Sequence, residues 1–207
     1  MTLRQQESLT SDEENEILDY YDENLEKLGT ISRKKGIDKK LLLESVQLWI
    51  INPKSNQVLM QKRSINRKND AGKIDVSTSG HVKSGETPIH AMLREAEEEI
   101  GIRPEDLGSI LKNLGIEMVD LTKVGRKGNY FVHEYMAYMD KPLNYFKFDE
   151  NEIEKLFFMD YEKVKQTIRN NDKKIRIPSG NEIEKIFAKI DEILYYKGEK
   201  EEQCEEK

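Results

Sequence analysis

The chain has 207 residues, of which 36% are charged and 36% are apolar, a balance that fits one folded domain and excludes a largely disordered chain. No apolar run approaches the ~20 residues of a membrane span, and the first residues lack the apolar core of a secretory signal. We therefore expect no membrane association and a cytoplasmic location. A single cysteine, Cys204, excludes a disulfide framework and a cysteine-based zinc site.

The net charge of −6 is concentrated at the two ends of the chain. Residues 1–16 carry one basic and five acidic side chains, and residues 198–207 carry two basic and five acidic side chains. We predict a flexible acidic N-terminal segment over 1–16, a single domain over 17–197 and an acidic tail over 198–207. The domain is then close to neutral and not repelled from phosphate ligands, but it has no basic stripe of the kind that binds nucleic acid.

The first half of the chain is predicted to form mainly strands. The segments are a hairpin over 17–32, a strand buried on both faces over 45–53, its hairpin partner over 57–62, and a further strand over 74–81. The polar and basic stretch 63–73 is predicted to be a loop.

The second half begins with the best helix in the chain, predicted over 87–100. Thr87 suits the N-cap, Pro88 the first turn, and Gly101 the position just after a helix. Strands are then predicted over 109–119, 129–139 and 155–159, and helices over 161–170 and 181–197. The last helix has apolar residues at helical spacing, which indicates core packing.

The helix over 87–100 separates an apolar face from an acidic face. At about 100° per residue, Glu98 and Glu99 lie roughly 60° and 40° to either side of Glu95, so three carboxylates share one sector. Glu95 and Glu99 repel each other at i,i+4 and no lysine offsets them, whereas Mg²⁺ and Mn²⁺ prefer such oxygen ligands. The pattern predicts a divalent-metal site, with a solvated acidic surface as the alternative.

The segment leading into this helix also fits a ligand site. Gly80 and Gly85 permit tight turns beside a ligand, and Glu86 precedes the helix cap. Arg94 is placed either to orient Glu98 at i+4 or to brace the preceding loop.

Residues 80–102, GHVKSGETPIHAMLREAEEEIGI, resemble the complete Nudix box. The resemblance implies an α+β fold of the Nudix α/β/α sandwich type, with a mixed sheet, an N-terminal β-hairpin and C-terminal helices. It also implies hydrolysis of a nucleoside diphosphate joined to another group. By position, Glu95, Glu98 and Glu99 would be the metal ligands and Glu86 a further contributor, while Gly80 and Arg94 would support the site.

The chemistry of such a site requires a base. A bound cation neutralises the phosphoanhydride oxygens and lowers the pKa of the attacking water, and a carboxylate removes the proton. Glu98 and Glu99 are candidates within the cluster, and Glu134, Glu150 and Glu152 are candidates from outside it. For each outside candidate, a solvated surface carboxylate is the alternative.

Residues 59–86 resemble the Nudix branch related to isopentenyl-diphosphate isomerase. That enzyme uses a cysteine two residues before a metal-binding histidine, and here Ser79 replaces the cysteine while His81 remains. Isomerase activity is therefore not expected, and His81 is interpreted as a neighbour of the site or a structural residue. The basic loop of this branch binds diphosphate, so Arg63 and Lys68 are expected to contact substrate phosphates, Arg63 the better candidate because a guanidinium matches phosphate geometry.

Three functions stay open: a metal-dependent hydrolase, an isomerase, and a catalytically silent ligand-binding module. The intact glutamates favour the hydrolase, acting on a small molecule such as a dinucleotide, ADP-ribose or a nucleotide sugar. The sequence does not identify the base; Trp49, Tyr130 and Phe131 are candidates to stack on it, with core packing as the alternative. A homodimer that pairs the N-terminal hairpins also stays open.

Overall fold

The computed structural model describes the backbone of residues 15–205 and the side chains of residues 15–123 and 125–194. Most of the segment 1–16, the end of the tail and the side chain of Cys204 lie outside this description. The strands are β1 (Ile17–Tyr21), β2 (Lys27–Ser32), β3 (Leu42–Asn52), β4 (Gln57–Arg63), β5 (Ile74–Asp75), β6 (Thr78–His81), β7 (Lys112–Asp120), β8 (Asn129–Tyr138) and β9 (Ile153–Asp160). The helices are α1 (Arg33–Asp38), α2 (Pro88–Ile100), α3 (Pro104–Gly108), α4 (Tyr161–Arg169) and α5 (Asn181–Glu205).

All nine strands belong to one mixed sheet organised around β3. Strand β3 pairs antiparallel with β1, β4 and β6, and parallel with β8 along almost its whole length. Strand β7 extends the sheet beyond β8, and β9 extends it beyond β4. The apolar run in β3 is explained by this central position, because both faces of the strand are covered.

Helices cover the two faces of the sheet and form two separate cores. On one face, α2 packs Met92, Ala96 and Ile100 against Val46 and Leu48 of β3. The alternate residues of β3 and the neighbouring strands pack on the other face against α4 and α5, through Trp49, Ile51, Met136, Val164 and Phe187. This arrangement confirms the predicted α/β/α sandwich with its mixed sheet and C-terminal helices.

The hairpins over 17–32 and around 53–56 are confirmed, and so is helix α2 with its caps. The Thr87 hydroxyl accepts a hydrogen bond from the His90 amide, and Gly101 ends the helix with φ +70°.

Other predictions differ in their boundaries. The predicted strand 74–81 is divided into β5 and β6, helices α1 and α3 were not predicted, and α5 continues past residue 197 to Glu205, into the predicted tail. Within the described residues, every helix is too short or too polar to cross a membrane.

Candidate active site

A cleft of about 1610 Å³ lies on the sheet face that α4 and α5 cover, beside the segment before α5 that contains Arg176 and Pro178. Ser45 and Gln47 of β3 line its floor, and alternation along the strand places them on the same face as Trp49 of the α5 core. Strands β6 and β8 contribute Ser79 and Tyr130 to the same surface. The glutamates of α2 reach the cleft from the opposite side of the sheet, around the edge formed by β6.

Gly80 explains how a side chain from α2 reaches this edge. A Cβ atom at residue 80 would lie 2.0 Å from the carboxyl carbon of Glu95, well inside contact distance. Only glycine therefore allows the Glu95 carboxylate to rest directly on the backbone of β6. The first glycine of the predicted motif is a requirement of close approach rather than of backbone conformation.

Arg94 organises the acidic face of α2 and performs both of the roles considered for it. Its guanidinium donates to Glu86 at 2.9 and 3.0 Å, to Glu95 at 2.6 Å and to Glu98 at 3.1 Å. It also donates to the backbone carbonyl of His81 at 3.1 Å, which ties the helix to β6. One fork of five donors thus orients two of the predicted ligands and braces the loop before the helix.

Glu99 lies deeper than its neighbours and is held by the sheet. It is 7% exposed, and its carboxylate accepts hydrogen bonds from the Thr78 hydroxyl at 2.5 Å and the Gln61 amide at 3.3 Å. Burial raises the pKa of Glu95, an effect that Arg94 partly opposes. Burial and the nearby Glu95 carboxylate also raise the pKa of Glu99. Two buried carboxylates that repel each other are the arrangement that a bound cation would stabilise.

The donor chemistry of this pair fits Mg²⁺ or Mn²⁺, which take carboxylate oxygens. Within the described residues, no three carboxylate, imidazole or thiol side chains are grouped closely enough to form a complete metal site. The Glu98 side chain is 57% exposed and pairs with Arg94. Glu95, Glu98 and Glu99 are the residues that could hold a metal ion.

The predicted phosphate-binding residues line the cleft next to the glutamates. Arg63 is 7% exposed; its Nη1 atom lies 3.8 Å from Asp75, and its Nε–H finds no acceptor among the described residues. Lys68 lines the cleft as well. Arg67, from the same loop, forms an ion pair with Glu152 at 2.7 Å.

Glu134, predicted as an outside base, is not among the residues that line the cleft. It is fully buried in the core beneath α5, where its carboxylate accepts a hydrogen bond from the Trp49 indole at 2.7 Å. Burial raises its pKa well above the usual value, and the neighbouring Glu117 adds to that shift. Glu134 lies on the same face of the sheet as Gln47 and Val132, which line the cleft, but it is farther along β8 and is covered by the core that contains Trp49. Of the other outside candidates, Glu152 lines the cleft and Glu150 does not.

The remaining candidates divide between cleft and core. Ser79 and His81 line the cleft, and the His81 ring lies 5.6 Å from that of Tyr130, which also faces the cleft. Burial, followed by nearby arginines, lowers the pKa of His81, so the ring is neutral. Trp49 and Phe131 are buried against other aromatic side chains, as core packing, the alternative to stacking on a base, predicts.

Two arginines of the cleft were missed in the sequence. Arg126 comes from the turn before β8, and Arg176 from the irregular segment before α5. The only available signal was the basic pair inside the glycine-flanked turn 125–128. Nothing in the sequence brings residue 176 next to Asp75, since 101 positions separate the two residues.

Comparison with known proteins gives a consistent result. A family model described as the NUDIX domain matches residues 42–200. An uncharacterized Nudix hydrolase of Clostridium acetobutylicum is 34% identical over 101 residues, which cover 47% of this chain and 48% of that protein. Nudix hydrolase 3 of Arabidopsis thaliana is 28% identical over 132 residues, which cover 62% of this chain and 17% of that protein. The matched part of the chain thus spans less than half the length of either relative.

Solved structures show the same fold. A crystal structure of a protein from Deinococcus radiodurans matches 84% of this chain and 98% of its own, with a TM-score of 0.63 and 24% identity. A MutT protein from Methanosarcina mazei matches 73% of this chain and 94% of its own, with a TM-score of 0.51 and 21% identity. At these identities the likeness concerns the fold alone.

Proposed function

The chain belongs to the Nudix family, and from this premise we propose that it is a metal-dependent hydrolase. Its reaction is attack of water on phosphorus in the diphosphate linkage of a nucleoside diphosphate derivative. The observation that carries the proposal is the pair of buried carboxylates, Glu95 and Glu99, at the mouth of a cleft whose adjoining wall is basic. Small-molecule diphosphates are the ligands that such a combination fits best.

A bound Mg²⁺ or Mn²⁺ would neutralise charge on the anhydride oxygens and lower the pKa of the attacking water. Glu95 and Glu99 would hold this ion, and Glu98 would serve as a third ligand or as the base that takes the proton. Glu98 suits the second role because it is the most exposed of the three carboxylates. Arg94 keeps Glu95 in place when Glu98 moves, since it binds the two carboxylates through one guanidinium.

Arg63 and Lys68 bind the phosphate oxygens of the substrate. Arg63 lines the same cleft as Glu99, and its guanidinium matches the geometry of phosphate oxygens. The two residues thus orient the linkage beside the carboxylates without taking part in the chemistry.

The two alternatives receive less support. Isomerisation requires a proton donor where Ser79 stands, and a serine hydroxyl is a much weaker acid than the cysteine thiol of the isomerase branch. A silent binding module has no need to keep Glu95 and Glu99 buried together, because each carboxylate makes the other more costly to ionise.

Hydrolysis of a substrate panel tests the proposal. The purified chain is incubated with nucleoside triphosphates, dinucleotides, ADP-ribose, nucleotide sugars and isopentenyl diphosphate in H₂¹⁸O, with Mg²⁺ or with EDTA. We expect ¹⁸O-labelled phosphate or monophosphate products with Mg²⁺ and none with EDTA. Glu99→Gln is expected to lower kcat/KM about 1,000-fold, as for loss of a group acting on transition-state charge. Its control is Glu97→Gln, on the exposed side of the same helix.

Other results would redirect the proposal. Double-bond migration in isopentenyl diphosphate would favour the isomerase. Tight binding of one compound without turnover would favour the silent module. Full activity of both Glu98→Gln and Glu99→Gln would remove the metal assignment.

A further inference from the structure

We propose that Arg126 and Arg176 form, with Arg63, a second anion-binding site that selects substrates whose second group also carries a phosphate. The inference rests on the proposed hydrolase function and deepens it, since it specifies the group joined to the nucleoside diphosphate. The three arginines come from strand β4, the turn before β8 and the segment before α5, and all three line the cleft.

Two buried aspartates fix the position of these arginines. Asp70 accepts from Nη2 of Arg126 at 2.5 Å and lies 3.4 Å from Nε of Arg176. Asp75 accepts from Nη1 of Arg176 at 2.5 Å and lies 3.8 Å from Nη1 of Arg63. Nη1 of Arg126 also donates to the backbone carbonyl of Arg176 at 2.7 Å. The guanidinium groups are therefore positioned before any ligand arrives, which reduces the entropy lost on binding.

Positive charge exceeds negative charge in this network. The contacts join Arg63, Lys73, Arg126 and Arg176 to Asp70 and Asp75 only, a formal surplus of two positive charges. The groups are poorly hydrated as well, because the Arg126 and Arg176 side chains are 18% and 26% exposed and Arg63 is 7% exposed. Partly buried cations in excess of their partners are costly, and an anion entering from the cleft would offset that cost.

The chemistry of the three side chains indicates that the ligand is an oxyanion. Each guanidinium is a permanent cation that only donates hydrogen bonds, and all three line the cleft. Arginine forks match phosphate geometry through paired N–H···O bonds, so a phosphate fits this site better than a carboxylate on a flexible chain.

The location of the site distinguishes it from the phosphate contacts of the scissile linkage. Arg63 and Glu99 both line the cleft, and we assign Arg63 to both sites. Arg126, by contrast, contacts Asp70 and the segment before α5, and among the described residues it forms no hydrogen bond or ion pair with Glu95, Glu98 or Glu99. A nucleoside triphosphate or a dinucleoside polyphosphate has an additional phosphate to reach these arginines, whereas the neutral sugar of a nucleotide sugar does not.

Binding of inorganic tripolyphosphate in EDTA tests the site without turnover. Thermal shift and calorimetry are run at constant ionic strength on the unsubstituted chain, Arg126→Ala, Arg176→Lys and the control Arg169→Ala, whose arginine pairs with Glu184 outside the cleft. We expect the unsubstituted chain and Arg169→Ala to bind tripolyphosphate with equal affinity. Arg126→Ala and Arg176→Lys should bind it at least about tenfold more weakly. Unchanged binding in both cleft variants would overturn the proposal. If Arg126→Ala fails to fold, Arg126→Lys replaces it, because it keeps the charge and loses the fork.

A kinetic comparison then separates this inference from the hydrolase proposal. With Mg²⁺, Arg126→Ala is expected to lower kcat/KM about tenfold for a nucleoside triphosphate and less than threefold for a nucleotide sugar. A purely structural role would lower both equally and would overturn the selectivity. If Arg126→Ala hydrolyses both substrates at the unsubstituted rate, the proposed selectivity is overturned and the proposed hydrolase function is kept. Arginine-dependent binding of tripolyphosphate without hydrolysis of any substrate would reject the hydrolase and keep the anion site.

Discussion

The two ends of the cleft carry excess charge of opposite sign, and at each end side chains of the other sign hold the charged groups in position. At the glutamate end, one arginine, Arg94, orients three carboxylates, so negative charge is in excess. At the arginine end, two aspartates orient three arginines, so positive charge is in excess. Each end thus uses the minority charge to fix the geometry of the majority charge. The excess that remains at each end indicates its ligand: a cation for the glutamates and an anion for the arginines.

The two ends also differ in how they are encoded. The glutamate end comes from one continuous segment of 23 residues, where helical angles and a glycine requirement make it readable. The arginine end is assembled from three segments far apart in the chain, and it exists only once the sheet is formed.

The largest loss of activity is expected from adding a side chain at residue 80, where the Glu95 carboxylate of α2 lies against β6. In Gly80→Ala the new methyl group would collide with the Glu95 carboxylate, which must move away from β6. Because displacements of about 1 Å at a reacting centre cost roughly 100-fold, we expect kcat/KM to fall by that order while the arginine end still binds tripolyphosphate.

The matched control is Gly108→Ala in α3, where a Cβ atom would meet no atom within 4 Å. Its activity should equal that of the unsubstituted chain. Wild-type turnover by Gly80→Ala would mean that Glu95 does not need its observed position.

A smaller effect is expected from the buried carboxylate pair that lies outside the cleft. Burial raises the pKa of Glu117 to about 7, and burial together with Glu117 raises the pKa of Glu134. Folding therefore favours the protonated pair, whose stabilising contribution is complete below pH ~4.5 and is lost as the pH rises through about 7. Glu134→Gln keeps an acceptor for Trp49 and removes one ionisable group.

We expect Glu134→Gln to raise the free energy of unfolding by about 1–2 kcal/mol at pH 8 and to change it little at pH 4.5. Denaturant unfolding at the two pH values measures this difference. Activity should be unchanged, since the side chain lies outside the cleft. A severe loss of kcat with normal stability would restore Glu134 as a catalytic residue.

Much of the fold could be predicted because its signals are local. The caps of α2, the alternation in the hairpins and the apolar run of β3 all act within a few residues of one another. The break between β5 and β6 was missed because Val76 and Ser77 have strand-like composition, and their departure from the sheet depends on neighbouring strands. Helix α1 was missed because its six residues include a glycine and have no side-chain cap.

The geometry of one helix fixes part of the candidate site, whereas the rest depends on packing between segments that are distant in the chain. Glu95, Glu98 and Glu99 share a sector that can be calculated from the helix alone. Glu134 shares a face of the sheet with the cleft residue Val132, but it lies two positions farther along β8 and is covered by the core that contains Trp49, which local sequence does not reveal. Whether the three glutamates bind a metal stays a prediction.

Direct binding of Mn²⁺ tests the central claim most simply. Electron paramagnetic resonance of free Mn²⁺, titrated with the unsubstituted chain, Glu99→Gln and Glu97→Gln, reports affinity without any substrate. We expect equal binding by the unsubstituted chain and Glu97→Gln, and at least about tenfold weaker binding by Glu99→Gln. Equal binding by all three proteins, or by none, would contradict the assignment of the buried glutamate pair as the metal site.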